Sequence, residues 1–240
     1  MRRVGGTVVD RLIAALARQQ SGYVLREQLF ALGLTEDAIK HRIKRGLLIP
    51  VHRGVYAVGH VPADPKLRAR GALLACGRRS ALAYDSALSA WGLAPRWREP
   101  FEVIVAGCDR RPKTIRVHRS RCLLTRDIRV HYGLRVTSPA LTVLHNAPKL
   151  TDRKLIRAVN ELRMARRLTH EQLVDVADRF PRHPGARRVR SLFGLTTQEP
   201  DRSPFEEDWR PFARTYKLTG WRTNRHVSAT ASTSCSSRTY

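Results

Sequence analysis

The chain has 240 residues, long enough for one or two domains with a sizeable core. Its 45 Lys and Arg against 20 Asp and Glu leave a formal net charge of +25. That excess argues against an ordinary small-molecule enzyme and toward a polyanionic partner, meaning nucleic acid or a membrane surface. The 42% hydrophobic content excludes a wholly disordered basic tail. No apolar run approaches the roughly 18 residues of a membrane span, so no membrane partner is expected. Cys76, Cys108, Cys122 and Cys235 form no CxxC pair, which points away from a zinc ribbon or a disulfide framework and toward a reducing cytoplasm.

In chain order, Val9, Leu12, Ile13 and Leu16 fall at i, i+3, i+4, i+7 and predict a first helix, broken at Ser21-Gly22. An extended Tyr23-Val24 follows. A second helix runs roughly from Arg26 to Leu32, with Gly33 as its stop. Thr35 caps a third, with Glu36 and Asp37 in its first turn and Ile39 and Ile43 on its apolar face. Lys40, Arg42, Lys44 and Arg45 belong to its cationic remainder, and Gly46 ends it. The run Leu47–Gly59 reads as a β-hairpin about Arg53-Gly54. Three short helices and a hairpin are the order of a winged helix-turn-helix, in which a helix enters the major groove and its cationic flank neutralises phosphates.

These residues also carry a family resemblance. Gly22-Tyr23-Val24, Leu32-Gly33-Leu34, Arg45-Gly46 and above all His52-Arg53-Gly54-Val55-Tyr56 resemble the N-terminal winged helix of AbiEi-type antitoxins of type IV toxin–antitoxin systems. Leu25 stands where relatives usually carry a Ser or Thr cap. The candidate DNA-contacting residues are Thr35, Lys40, His41, Arg42, Lys44, Arg45, His52, Arg53 and Tyr56.

The middle stretch predicts helices around a small sheet. Asp64-Pro65 opens a helix to about Cys76, with Leu67, Leu73 and Leu74 as candidate core. Ser80 is expected to cap another, carrying Leu82, Leu88 and Trp91 and stopped by Gly92. Strands are expected at Phe101–Val105, Ile115–Arg119 and Leu134–Thr137. Ser138-Pro139 opens a helix bearing Ala140, Val143, Leu144 and Ala147. Leu155, Val159 and Leu162 mark the next. Thr169 and Gln172 form a capping box, and a last helix lies near Gly185–Phe193. Ala90-Trp91-Gly92-Leu93, Val117-His118-Arg119-Ser120, Asp127 and Val136-Thr137-Ser138-Pro139-Ala140 resemble the α/β domain that follows the winged helix in AbiEi-like proteins. Where that family continues with a helical Arg–Asp pair, this chain has Leu141 and His145.

No phosphate-binding loop, HExxH or recognisable carboxylate constellation is present, so no catalysis and no cofactor are expected. Residues 201–227 resemble the opening of a very-short-patch-repair-like endonuclease domain, through Ser203, Glu206, Phe212, Leu218 and Asn224. Glu206 would be a lone remnant of its metal site. Residues 228–240, eight of them Ser or Thr, predict a disordered tail whose composition suggests a frameshift.

The expected organisation is therefore α+β: a winged helix over 1–60, an AbiEi-like α/β domain over 61–195, the truncated start of an endonuclease-like domain over 201–227, and the tail. The resemblance implies a regulator that binds double-stranded DNA, represses its own toxin–antitoxin operon and is paired with a nucleotidyltransferase-like toxin. The alternative is a truncated, inactive member of the endonuclease family.

Overall fold

The computed structural model describes residues 4–106, 112–120 and 122–194. The chain divides into two units, Met1–Thr197 and Gln198–Tyr240, and the second lies outside the described residues. The endonuclease-like stretch, Glu206 and the Ser/Thr-rich tail lie there too.

The first unit is a mixed α/β structure that begins with a winged helix. Helices α1 (Val4–Gln19), α2 (Arg26–Ala31) and α3 (Glu36–Lys44) alternate with strands β1 (Tyr23–Leu25), β2 (Leu48–His52) and β3 (Val55–Val58). The three strands form an antiparallel sheet in the order β1-β3-β2. Thr35 Oγ1 accepts from the Ala38 amide at 3.2 Å and starts α3. Leu25, which cannot cap, is replaced at the start of α2 by Gln28, whose Oε1 accepts from the Leu25 amide at 2.9 Å. Gly54 takes the left-handed conformation (φ +77°) that the tight β2–β3 turn needs.

The period-two alternation of these strands decides how the winged helix sits on the rest. Val24, Leu48 and Tyr56 point to one face and join Ile13, Ala17, Leu29, Leu34 and Ile39 in a core under α1–α3. Tyr23, Val55 and Ala57 point to the other face and belong to the main core of the molecule. The small sheet is thus buried on both sides. Leu12, expected on the apolar face of α1, is 46% exposed: the buried ridge is centred on Ile13 and Ala17, which turns Leu12 outward.

The layer behind the sheet is α4 (Pro65–Cys76), capped by Asp64, whose Oδ1 accepts from the Lys66 amide at 2.8 Å. Its buried residues include Ala69, Gly71, Ala72 and Ala75. Small side chains let α4 lie close to strands on either side. At Gly71 an added Cβ would stand 2.9 Å from the Tyr23 ring, so the winged helix rests directly on this backbone. Leu67, a predicted core residue, is 37% exposed; small residues, not Leu67, form the contact.

Beyond α4 lies a five-stranded sheet in the order β6-β5-β4-β8-β7, built from β4 (Ser80–Leu82), β5 (Glu102–Val105), β6 (Arg116–Arg119), β7 (Ile128–His131) and β8 (Leu134–Thr137). Strands β4/β8 and β5/β6 are parallel; β4/β5 and β7/β8 are antiparallel. Ser80 does not cap a helix. It begins the central strand, and its hydroxyl donates to the Leu73 and Gly77 carbonyls at 3.1 and 2.6 Å. The helix that follows, α5 (Tyr84–Trp91), starts four residues later and ends at Gly92 as expected.

Helix α6 (Pro139–Asn146) is capped by Ser138 and buried on every side. Three helices lie after it in the chain: α7 (Asp152–Met164), α8 (His170–Arg179), which starts with the Thr169–Gln172 capping box, and α9 (Pro184–Gly194). Helix α9 comes so close to α6 that a Cβ at Gly185 would lie 2.2 Å from the Leu144 carbonyl oxygen. Leu141 and His145 are interior positions of α6. His145 stacks on the Tyr84 ring at 4.5 Å, and burial, reinforced by His183 and His118, pushes its pKa down to about 3.

Candidate nucleic-acid interface

The surface of α3 follows from its sequence spacing. Asp37, Lys40, His41 and Lys44 recur at i, i+3, i+4, i+7, and all are exposed, as is Arg45 one residue further on. Ile39 is buried on the opposite side, with Ala38 and Ile43 packed beside it. The only acidic member of the stripe is Asp37, in the first turn, where it favours the helix dipole. Lys40 reaches Asp37 at 3.4 Å, a long and exposed pair. Among the described residues, Lys44, Arg45 and Arg53 have no carboxylate partner. Arg53 is exposed at the hairpin turn. The backbone of that turn is anchored where the Arg26 amide, at the start of α2, donates to the Gly54 carbonyl at 2.9 Å. An ion pair between Arg26 and Glu36 joins α2 to α3 and braces the helix-turn-helix.

Four other candidates have structural work to do. Arg42 is half-buried. Its Nε donates to Asp10 Oδ1 at 3.0 Å and its Nη1 to the Ala38 carbonyl at 3.2 Å, so it clamps α3 to α1 instead of presenting a free charge. Thr35 uses its hydroxyl on the α3 cap. Tyr56 is only 9% exposed, because its position on β3 turns it into the core under α1–α3. His52 lies 2.7 Å from Thr114 Oγ1, and burial, partly opposed by Glu99, lowers its pKa. Sequence spacing had placed all four beside the cationic residues; their partners are 3 to 62 residues away in the chain.

The winged helix is fastened to the layers behind this surface. Arg70 on α4 reaches the Gln19 carbonyl at the end of α1 and the Gly133 carbonyl of the β7–β8 turn, each at 3.4 Å. With Tyr23 against Gly71 and His52 against Thr114, three contacts tie the winged helix to the following layers. No sequence signal pointed to them.

A second polar cluster lies at one end of the five-stranded sheet. Glu102, almost fully buried, accepts from the Asp85 amide at 2.9 Å and from Arg116 at 3.1 Å. His118 and Lys149 stand 3.6 and 3.7 Å away. Burial alone would raise the Glu102 carboxyl; these partners outweigh it and hold its pKa at about 2. The carboxylate closes the first turn of α5 and is a structural anion. Among the described residues, no three His, Cys, Asp or Glu side chains converge to hold a metal, and no helix is long and apolar enough to cross a membrane.

Comparison with known proteins agrees with this architecture. Residues 11–59 match the family model described as transcriptional regulator, AbiEi antitoxin, and residues 79–195 match the AbiEi antitoxin C-terminal domain. The curated proteins contain no match to the chain. The two matched segments cover the winged helix and the sheet with its helices, most of the chain between them, and the first is described as a transcriptional regulator. The chain belongs to the AbiEi antitoxin family and is a DNA-binding regulator of the antitoxin class.

Proposed function

We propose that the protein represses its own toxin–antitoxin operon by laying α3 in the major groove and Arg53 of the hairpin against the adjacent backbone. The observation that carries this reading is the exposed stripe Lys40, His41, Lys44 and Arg45 on α3, with Lys44, Arg45 and Arg53 free of carboxylates among the described residues. A free guanidinium or ammonium releases condensed counterions when it meets a phosphate, so it supplies affinity that a paired one does not. Arg42 and Tyr56 support this surface from behind. The regulated partner is a nucleotidyltransferase-like toxin encoded in the same operon, and the site of action is the cytoplasm.

The test is binding of the full chain to duplex DNA from upstream of its own gene, followed by fluorescence anisotropy over a salt series and by a promoter–reporter assay. Protection of a discrete site, with repression of the reporter, is the expected result. Binding that does not distinguish this DNA from random duplex, with no repression, would overturn the autoregulatory role.

A further inference from the structure

Where β8 passes into α6, a cleft of about 390 Å³ opens at the carboxyl end of the strand. Its floor is a closed ionic network. Arg179 places two guanidinium nitrogens on the two oxygens of Asp127, at 2.9 and 2.6 Å, and its Nε on Asp175 at 3.0 Å. Arg126 also meets Asp175, at 3.2 Å. Asp127 is buried and accepts a further bond from the Leu124 amide at 2.9 Å. Both aspartates are therefore already neutralised.

Two more guanidiniums line the same cleft: Arg129 from β7 and Arg167 from the α7–α8 connection. Neither meets a carboxylate among the described residues. Arg129 reaches only the Ile128 carbonyl, at 3.4 Å, and Arg167 lies over the Trp91 ring at 5.6 Å. The third acid of the cleft, Glu171, is exposed in the first turn of α8. The first turn of α6, with Ser138 and Ala140, forms another wall and adds the positive end of a helix dipole. The volume falls in the range of small-ligand sites, and the carboxyl end of a sheet strand is where open α/β sheets receive ligands. Two uncompensated guanidinium forks facing one cavity match the geometry of a phosphate oxyanion.

We propose that this cleft is a phosphate-binding site, with Arg129 and Arg167 as the forks that take the oxyanion. The phosphate comes either from a small phosphorylated molecule or from the backbone of duplex DNA already held by α3. The second source rests on the proposed DNA-binding surface; the first does not.

The experiment uses the full chain and inorganic pyrophosphate as the probe in titration calorimetry at low ionic strength, beside DNA anisotropy over a salt series. Saturable pyrophosphate binding, weakened at least ten-fold in Arg129→Ala/Arg167→Ala and less in Arg129→Lys/Arg167→Lys, supports a small phosphorylated ligand. The variant Lys44→Ala/Arg45→Ala/Arg53→Ala should leave that binding unchanged, which separates the cleft from the α3 surface. If pyrophosphate does not bind but the double alanine variant lowers the slope of log K against log salt by about 2, at roughly 0.9 per phosphate, the cleft takes backbone phosphate. Pyrophosphate binding that survives the double alanine substitution overturns the site. So does the absence of pyrophosphate binding together with an unchanged or unmeasurable DNA slope. Both side chains are exposed, so both double variants should fold; the alanine variant should melt slightly lower, because it loses the Arg167 contact with the Trp91 ring.

Discussion

The winged helix and the five-stranded-sheet region are both rich in arginine, but they use it differently. Around the sheet, Arg179 forks onto Asp127, Arg188 pairs with Asp152 and Arg190 with Asp178. Arg135 meets no carboxylate among the described residues and instead donates to the Gly77 carbonyl at 2.9 Å, at the carboxyl-terminal end of α4. On α3 and the hairpin turn Lys44, Arg45 and Arg53, like Arg129 and Arg167 beside the cleft, meet no carboxylate among the described residues. A net charge of +25 therefore overstates the binding surface, because many of its cations are already committed to carboxylates and helix ends. Partner geometry, not the count of basic residues, separates a phosphate contact from a structural clamp.

That contrast is open to direct attack. The largest effect is expected where a clamp is cut. Arg179→Ala leaves Asp127 buried without its countercharge, which costs about 3–5 kcal/mol. The denaturant midpoint should fall steeply, and DNA affinity measured well below that midpoint should change little. Loss of DNA affinity at unchanged stability would put Arg179 among the contact residues and erase the distinction.

The converse experiment removes the free cations. Lys44→Ala/Arg45→Ala/Arg53→Ala should weaken DNA binding by about 100-fold at low salt, or ~2.7 kcal/mol. It should lower the salt slope by between about two and three, at roughly 0.9 per phosphate. Thermal unfolding should be unaltered. Arg42 is excluded from this variant because its loss unfastens α3 from α1. Wild-type affinity in the triple variant would mean that α3 and the hairpin turn do not carry the DNA.

The junction between the two regions offers a third test. Gly71→Ala sets a methyl group 2.9 Å from the Tyr23 ring, and neither the backbone of α4 nor the buried ring gives way freely. Overpacking of this kind costs about 1–3 kcal/mol. Calorimetry should show a single transition at lower temperature if the shared core makes the winged helix and the sheet one cooperative unit. Two separated transitions would show that the winged helix unfolds on its own.

The last test concerns pH. In the folded chain, burial holds His145 neutral down to about pH 3, whereas in the unfolded chain it takes a proton near 6.5. The unfolded state binds the extra proton between those values, so this contribution is complete above about pH 6.5 and declines as pH falls toward 3. The slope is at most about 1.4 kcal/mol per pH unit for one group. Burial also lowers His52, His131 and His183, which act in the same direction. His145→Gln should flatten the curve of stability against pH between about 6 and 4. An unchanged curve would place the acid sensitivity in the other three histidines.

Much of the fold was legible because its signals are local. Thr35, Asp64, Ser138 and Thr169 start helices with a hydroxyl or carboxylate two or three residues from the amide it accepts. The family resemblance rested on short strings such as His52–Tyr56, and the matched models agree with it. Strand β4 was misread because three residues buried on both faces carry no alternation, and a serine before apolar residues looks the same whether it caps a helix or opens a central strand. Strand β7 was missed: Ile128-Arg129-Val130-His131 is a short edge strand with two exposed cationic or apolar positions in its middle.

By itself, then, the sequence determined the order of elements, their caps and the cationic stripe of α3, because spacing along a helix places side chains on a common face. Only the tertiary structure decided which cations are free. Asp10 meets Arg42 across 32 residues, Asp127 meets Arg179 across 52, and Thr114 meets His52 across 62. It also decided that the small sheet has no open face, since Tyr23 touches Gly71 only when α4 packs behind the strands. A charge pair or a ring stacked on a glycine depends on distances in space, and nothing in the local sequence encodes those.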